Sequence, residues 1–224
     1  MYWFLLLYCT PNKCQPDKRL YVLPFALCSR NGNILIYRIE TGGGAMGKSI
    51  SYWQTVGFLF TAVVGTLLHF LFDWTGGNVV AALFSGVNES IWEHLKLLFY
   101  PMLAFAVGEY WNWGKQIDGF WCIKLIGVFL GLGLIVVVYY TYTGMLGIKA
   151  DWLNIALFFL AAGIAYWVET KLFQRGFSCP TGKKLAVLLI CLLAVIFTVF
   201  TFWTPQIPLF RDPVTGTYGF FEKS

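Results

Sequence analysis

Apolar residues in this chain run in long blocks, and most polar residues gather in the short gaps between them. A helix that crosses a bilayer needs about 20 mostly apolar residues. Five stretches meet or approach that length: about Tyr52 to Phe72, Ile91 to Trp113, Phe120 to Thr141, Trp152 to Phe173 and Leu185 to Trp203. A further run, Val79 to Phe84, is too short to span and reads as an interfacial or re-entrant piece. Pro101 lies inside the second stretch and predicts a kink, because its nitrogen has no hydrogen to donate and its ring meets the preceding turn. Gly127 and Gly131 in the third stretch have the spacing that lets helices pack closely. The expected fold is an all-α polytopic transmembrane bundle of about five spans over residues 46–204, followed by a tail at 205–224. Pro205, Pro208 and Pro213 predict that this tail is extended.

Composition agrees with lipid as the main solvent. Of 224 residues 58% are hydrophobic and 12% charged, whereas a soluble domain carries about 25% charged residues. Aromatics reach 19%, with ten Trp, a content that suits belts at the membrane interfaces. The net charge of +5 is scattered, which reads as topology signal and not as a surface for nucleic acid. Lys171, Arg175, Lys183 and Lys184 lie in the connection between the fourth and fifth spans. Lys115 lies between the second and third, with Lys124 close enough to snorkel toward it, and Lys48 precedes the first. The other side has Lys149, Arg211 and Lys223. An excess of Lys and Arg marks the cytoplasmic side, so the bundle is expected to start inside and end outside, with an extracytoplasmic tail. The six cysteines, Cys9, Cys14, Cys28, Cys122, Cys179 and Cys191, show no CxxC spacing. Neither a zinc site nor a disulfide framework is expected from them.

Residues 1–45 differ from the rest: they are less hydrophobic and hold half of the cysteines. The apolar run Tyr2 to Tyr8 is too short for a signal-peptide core. Adjacent glycine codons in Gly42-Gly43-Gly44 can read as a ribosome-binding sequence upstream of Met46, so residues 1–45 are expected to be a leader translated in error or a disordered extension. Gly42 to Ser49, GGGAMGKS, also matches the phosphate-loop pattern, and Ile34 to Ile39 reads as a strand before it. A working phosphate loop ends a strand of a parallel sheet and needs a later acidic residue for magnesium. Here an all-round apolar helix follows with no β-α alternation, so no nucleotide partner is expected.

The chemistry lies in ionisable residues at membrane depth, which are costly in hydrocarbon and usually face a bundle interior. Thr61, Gly65, His69 and Asp73 recur every four residues, forming one small and polar stripe on the first span. The second opens with NESIWEHLK, Asn88 to Lys96. Read as one helix, it puts Glu89, Trp92, Glu93 and Lys96 on a shared face, with His94 about 100° from Glu93. The turn at Trp74 to Asn78 makes the two spans neighbours, so His69 and Asp73 are expected to meet Glu89 and Glu93 at the outer end. Tyr140, Tyr142, Asp151 and Asn154, and Arg211 and Asp212 of the tail, border the same mouth.

Three readings compete. In the first, Glu89 and Glu93 are acid/base or ligand groups, and His69, Asp73 and His94 are ligands to a divalent metal such as zinc, iron or manganese, with Asn88, Lys96, Arg211 and Asp212 around them. In the second, the cluster carries a small polar solute. In the third, it is an ion-pair network that fixes helix register. NESIWEHLK is not the H-E-x-x-H signature, so spacing alone does not choose. Glu109 and Glu169, near the inner ends with Lys171 close by, are expected to be solvated caps.

The strings HFLFDWTGGN, LFSGVNESIWEHLKLLFYP and, at Ile207 to Gly219, IPLFRDPVTGTYG resemble a family of small bacterial integral membrane proteins of unknown function. The likeness runs from about Ser51 onward and implies a multi-pass membrane protein, with no catalytic role to carry over; the expected location is the bacterial cytoplasmic membrane. Seven-helix zinc hydrolases of membranes are a poorer match, since this chain has two histidines and too few spans. The leading expectation is a metal- or carboxylate-dependent membrane enzyme acting on an extracytoplasmic or lipid substrate. The alternative is a small-solute transporter or accessory membrane protein.

Overall fold

The computed structural model describes residues 25–30, 33–38, 43–117, 119–147, 151–179 and 182–220. The chain divides into two units, Met1–Lys48 and Ser49–Ser224. In the first, strands β1 (Phe25–Arg30) and β2 (Asn33–Arg38) form an antiparallel hairpin with Phe25 opposite Arg38. The strand expected over residues 34–39 is therefore present, but in a hairpin and not in a parallel sheet. Helix α1 (Gly43–Trp74) begins at the second glycine of the phosphate-loop match, so Gly43 to Ser49 are helical. Cys9, Cys14 and the run Tyr2 to Tyr8 lie outside the described residues.

The second unit contains the rest of α1 together with α2 (Val79–Phe84), α3 (Ile91–Asn112), α4 (Phe120–Leu146), α5 (Asp151–Gln174) and α6 (Lys183–Phe202). Among its described residues no β-strand occurs beyond an isolated bridge between Arg211 and Tyr218. Among the described residues, four helical segments are long and apolar enough to cross a membrane: Ser49–Trp74, Phe120–Leu146, Trp152–Gln174 and Lys183–Phe202. Their outer faces carry exposed Leu59, Val63 and Leu67 on α1, Val137 on α4 and Leu188, Leu192 and Val195 on α6. Apolar surface on this scale marks a protein associated with lipid.

α3 has the length of a span but carries Glu93, His94, Lys96 and Glu109. It is buried along much of its length, with Leu98, Phe99 and Met102 in one core cluster with Val128 and Leu132 of α4, Ala161 and Ala165 of α5 and Phe197 of α6. Its charges are tolerated because protein surrounds them. Pro101 inside α3 cannot donate to the carbonyl of Leu97. That carbonyl faces Gly65 of α1, where an added Cβ would stand 2.6 Å from it. The same small-residue stripe seats α1 elsewhere. A Cβ on Gly57 would meet the rings of Phe105 and Tyr166 at 2.6 Å, and Thr61 Oγ1 pairs with Tyr166 Oη at 2.8 Å.

Two expectations are corrected. The tail, expected to be extended, is a compact reversal over its described residues 205–220. Asp212 accepts hydrogen bonds from Val214 N (2.8 Å) and Thr215 Oγ1 (2.7 Å), and Gly216 turns the chain at φ +74°. Phe210 then packs its ring 4.7 Å from Trp92 and 5.5 Å from Phe200, and Phe220 N donates to Thr201 O. Second, Cys122 and Cys179 form a disulfide between the first turn of α4 and the α5–α6 loop. Close approach of that loop brings them together, since the Phe177 carbonyl occupies the space of a Gly119 Cβ.

Candidate metal centre

The site is built where α1 ends and α3 begins. Gly76 and Gly77 adopt φ of +68° and +83°, and Gly77 N donates to Phe72 O at 2.9 Å, which stops α1 one turn after His69. Asn78 caps α2 by accepting from Val80 N at 2.8 Å. Ser90 caps α3, its Oγ accepting from Glu93 N at 3.4 Å, while Asn88 Oδ1 accepts from Ser90 N at 2.9 Å. The shared helical face expected for Glu89, Glu93 and Lys96 is thereby broken. Glu89 precedes the helix, so it escapes the helical register and turns toward His94.

Glu89 stands between two imidazoles. Its Oε1 is 3.7 Å from His69 Nε2 and its Oε2 is 3.5 Å from His94 Nε2. The two rings lie 5.3 Å apart, and one ligand atom from each residue falls within 4.8 Å of the others. The orientation of His94 is informative. Its Nδ1 is 2.9 Å from Ser90 O, and a carbonyl only accepts, so Nδ1 carries the hydrogen. In the neutral ring Nε2 then presents a lone pair to the Glu89 carboxylate. Acceptor faces acceptor, and a cation between them, a proton or a metal, makes the contact favourable. Side-chain exposures of 30% for His69, 48% for Glu89 and 27% for His94 leave the group open to solution.

Behind it lies a cavity of about 270 Å³ between α1, α3, α4 and α5. Leu97, Ile135, Leu157 and Phe158 give it apolar walls, and Pro213 of the tail reaches its edge. Asn154, which accepts from Tyr142 Oη, is a polar group in the lining.

Other expected members are elsewhere. Glu93 and Lys96 are buried one turn deeper, with Lys96 Nζ 2.5 Å from Glu93 Oε2. Lys96 also donates to Ala82 O and Thr201 Oγ1, both at 2.9 Å, so its three hydrogens are used. Val87 N donates to Glu93 Oε2 at 3.1 Å. This pair clamps α2, α3 and α6 together. Asp73 is exposed one turn beyond His69 and outside the triad. Asn88 ties the tail to the α3 cap by donating to Gly219 O at 3.1 Å. Asp212 is buried in the tail turn and Arg211 is exposed. The side chain of Asp151 lies outside the described residues.

Glu109 and Glu169 are not solvated caps, and Lys124 does not snorkel. All three are buried, with Lys124 Nζ 2.6 Å from Glu169 Oε2 and also paired with Glu109. Gln54 Nε2 donates to Glu109 Oε1 at 2.9 Å. Glu109, Lys124 and Glu169 each stand about a turn inside a helix end, and Gln54 about a turn inside the apolar segment that begins at Ser49; that match in depth is the signal that could have grouped them.

A family described as a family of unknown function (DUF6512) matches residues 45–220. The chain belongs to this family. No curated protein and no solved structure matches it. The matched span holds His69, Glu89 and His94 together with the buried Glu93–Lys96 and Lys124 clusters.

Proposed function

We propose that this family member is a multi-pass membrane protein that holds a divalent transition metal on His69, Glu89 and His94 and binds an amphipathic, lipid-like substrate in the adjoining cavity. The observation that carries this reading is the convergence of two imidazole Nε2 atoms on one carboxylate, with His94 held by Ser90 O in the tautomer a metal ligand needs. Two histidines and one carboxylate suit iron, manganese or zinc and leave coordination positions free for substrate or water. A metal there would act as a Lewis acid or lower the pKa of a bound water. The apolar walls suit a hydrocarbon body, with the polar end of the substrate at the metal.

The test is elemental analysis of detergent-purified protein, chelated and then reloaded separately with Zn²⁺, Mn²⁺ and Fe²⁺. Stoichiometric metal is expected in the wild type and in Asp73→Asn, but not in a still-folded Glu89→Gln. A folded wild type that takes up none of the three would end the reading. One observation favours a structural role instead: distances of 3.5 and 3.7 Å also suit an ion pair between Glu89 and protonated histidines. Under that reading no metal binds and Glu89→Gln lowers the melting temperature.

Orientation belongs to the same proposal. We take α3 as a fifth span, with the Lys- and Arg-rich end in the cytoplasm of a bacterium and the metal centre outside. The Cys122–Cys179 bridge is at the Lys-rich end, whereas disulfides persist in oxidising compartments. The bridge and the charge bias thus disagree. Our orientation expects the bridge to face a reducing compartment and to be opened there, so in intact cells both thiols react with a membrane-permeant alkylating reagent and not with an impermeant one. Reaction with the impermeant reagent that appears only after treatment with an impermeant reductant would turn the molecule over.

A further inference from the structure

At the opposite end from the metal centre, four helices each contribute one polar side chain to a sealed cluster: Gln54 from α1, Glu109 from α3, Lys124 from α4 and Glu169 from α5. None is more than 3% exposed. Two carboxylates face a single ammonium, so the ionised cluster carries one negative charge in excess, in a place where burial makes an unbalanced charge costly. It also holds acceptors that nothing in the protein satisfies. Gln54 Oε1 and Glu169 Oε1 are buried and accept no hydrogen bond. An orphaned acceptor is expensive in the same way. One added positive charge answers both deficits.

The surroundings make Lys124 the fixed cation of the group. Its Nζ lies 5.7, 5.4 and 5.5 Å from the ring centroids of Phe120, Tyr166 and Phe173, whose faces favour positive charge. Around the cluster, Thr61 and Tyr166 hydrogen-bond to each other at 2.8 Å. Lys183 of α6 donates to Tyr110 Oη at 2.6 Å and does not enter it. Space is reserved for Glu169, because its carboxylate occupies the position that a Cβ on Gly127 would take. We propose that Gln54, Glu109, Lys124 and Glu169 form a binding site for one exchangeable monovalent cation, a proton or an alkali ion, independent of the metal centre.

Binding to the folded state raises the melting temperature by mass action. The test follows thermal unfolding of the full chain in detergent, in the Glu89→Gln background so that the metal centre does not contribute. An alkali ion predicts that replacing choline by Na⁺ at constant ionic strength raises the midpoint by about 5 °C or more per hundredfold rise in concentration. A proton predicts no Na⁺ effect, together with an infrared carboxylic-acid band that shifts in D₂O. In each case Glu169→Gln, which removes the excess charge, abolishes the response. If Glu169→Gln does not fold, Glu109→Gln takes its place, and the wild-type band and Na⁺ dependence still decide. A wild type with neither a Na⁺ response nor a carboxylic-acid band overturns the proposal, as does a response that both Gln variants keep.

Discussion

The two ends of this bundle use inverted sets of charges. The mouth puts one carboxylate between two imidazoles, and the sealed end puts one ammonium between two carboxylates. Their environments differ more than their chemistry. At the mouth the groups stand 3.5 and 3.7 Å apart, on a loop and two helix ends, with a quarter to a half of each side chain exposed. At the sealed end the partners come from the interiors of four helices, Lys124 and Glu169 touch at 2.6 Å, and no water-facing surface remains. Close, buried pairs hold helices together. Separated, accessible groups with lone pairs facing inward are positioned to receive something from outside. Burial and spacing, where residue type does not, separate the open group proposed to take a metal from the sealed group that ties four helices together and is proposed to take one small cation.

A third cluster shows the closed case complete, and breaking it gives the largest expected effect. Lys96 spends every donor on Glu93, Ala82 O and Thr201. Lys96→Ala strands the Glu93 carboxylate, and removing one partner of a buried pair costs about 3–5 kcal/mol. Denaturant unfolding in detergent should report that loss. The double variant Lys96→Met/Glu93→Gln should lose less than the sum of the two single changes. A loss below about 1 kcal/mol for Lys96→Ala would place the pair in the same class as exposed ion pairs.

The next effect is a matter of space. Gly127→Ala forces a methyl group into the position of the Glu169 carboxylate. Overpacking of this kind costs about 1–3 kcal/mol. Gly133 on the same helix has nothing within 4 Å of its added Cβ, so Gly133→Ala is the matched control and should be neutral or mildly stabilising. Equal melting temperatures for the two variants would show that the sealed cluster is looser than described.

How far the sequence discloses this arrangement depends on how local each feature is. Apolar blocks are local, and all five expected stretches coincide with helices α1, α3, α4, α5 and α6 to within a few residues, apart from the longer start of α1 and end of α4; all but α3 contain a segment long and apolar enough to cross a membrane. The neighbourhood of His69 and Glu89 follows from the glycine turn and the short connection between their helices. The position of Glu89 was readable too, since Ser90-x-x-Glu93 is a helix-capping pattern that starts the helix after Glu89. Reading NESIWEHLK as uninterrupted helix missed it. Glu109, Lys124 and Glu169 lie far apart in sequence, and each taken alone is close enough to a helix end to be solvated. Only equal depth on antiparallel helices shows that they meet. The Cys122–Cys179 contact and the folded tail depend likewise on packing between distant segments, here Gly119 on Phe177 and Phe210 on Trp92.

The smallest expected effect on stability is the one that sharpens the comparison most. Glu89 is about half exposed and lies outside the helix, so Glu89→Gln in the absence of metal should shift stability by no more than about 0.5 kcal/mol. The same change removes the anionic ligand between His69 and His94, and metal uptake should fall from stoichiometric to undetectable. His94→Ala should do the same, since it deletes the ligand whose tautomer Ser90 O holds. Lys96→Ala should behave in the opposite way, with stability lost and metal retained by the fraction that stays folded. Unfolding and metal content measured on the same preparations of these three variants thus form a crossed design. If Glu89→Gln proves as destabilising as Lys96→Ala, the mouth is a second structural clamp, and openness is no guide to function in this bundle.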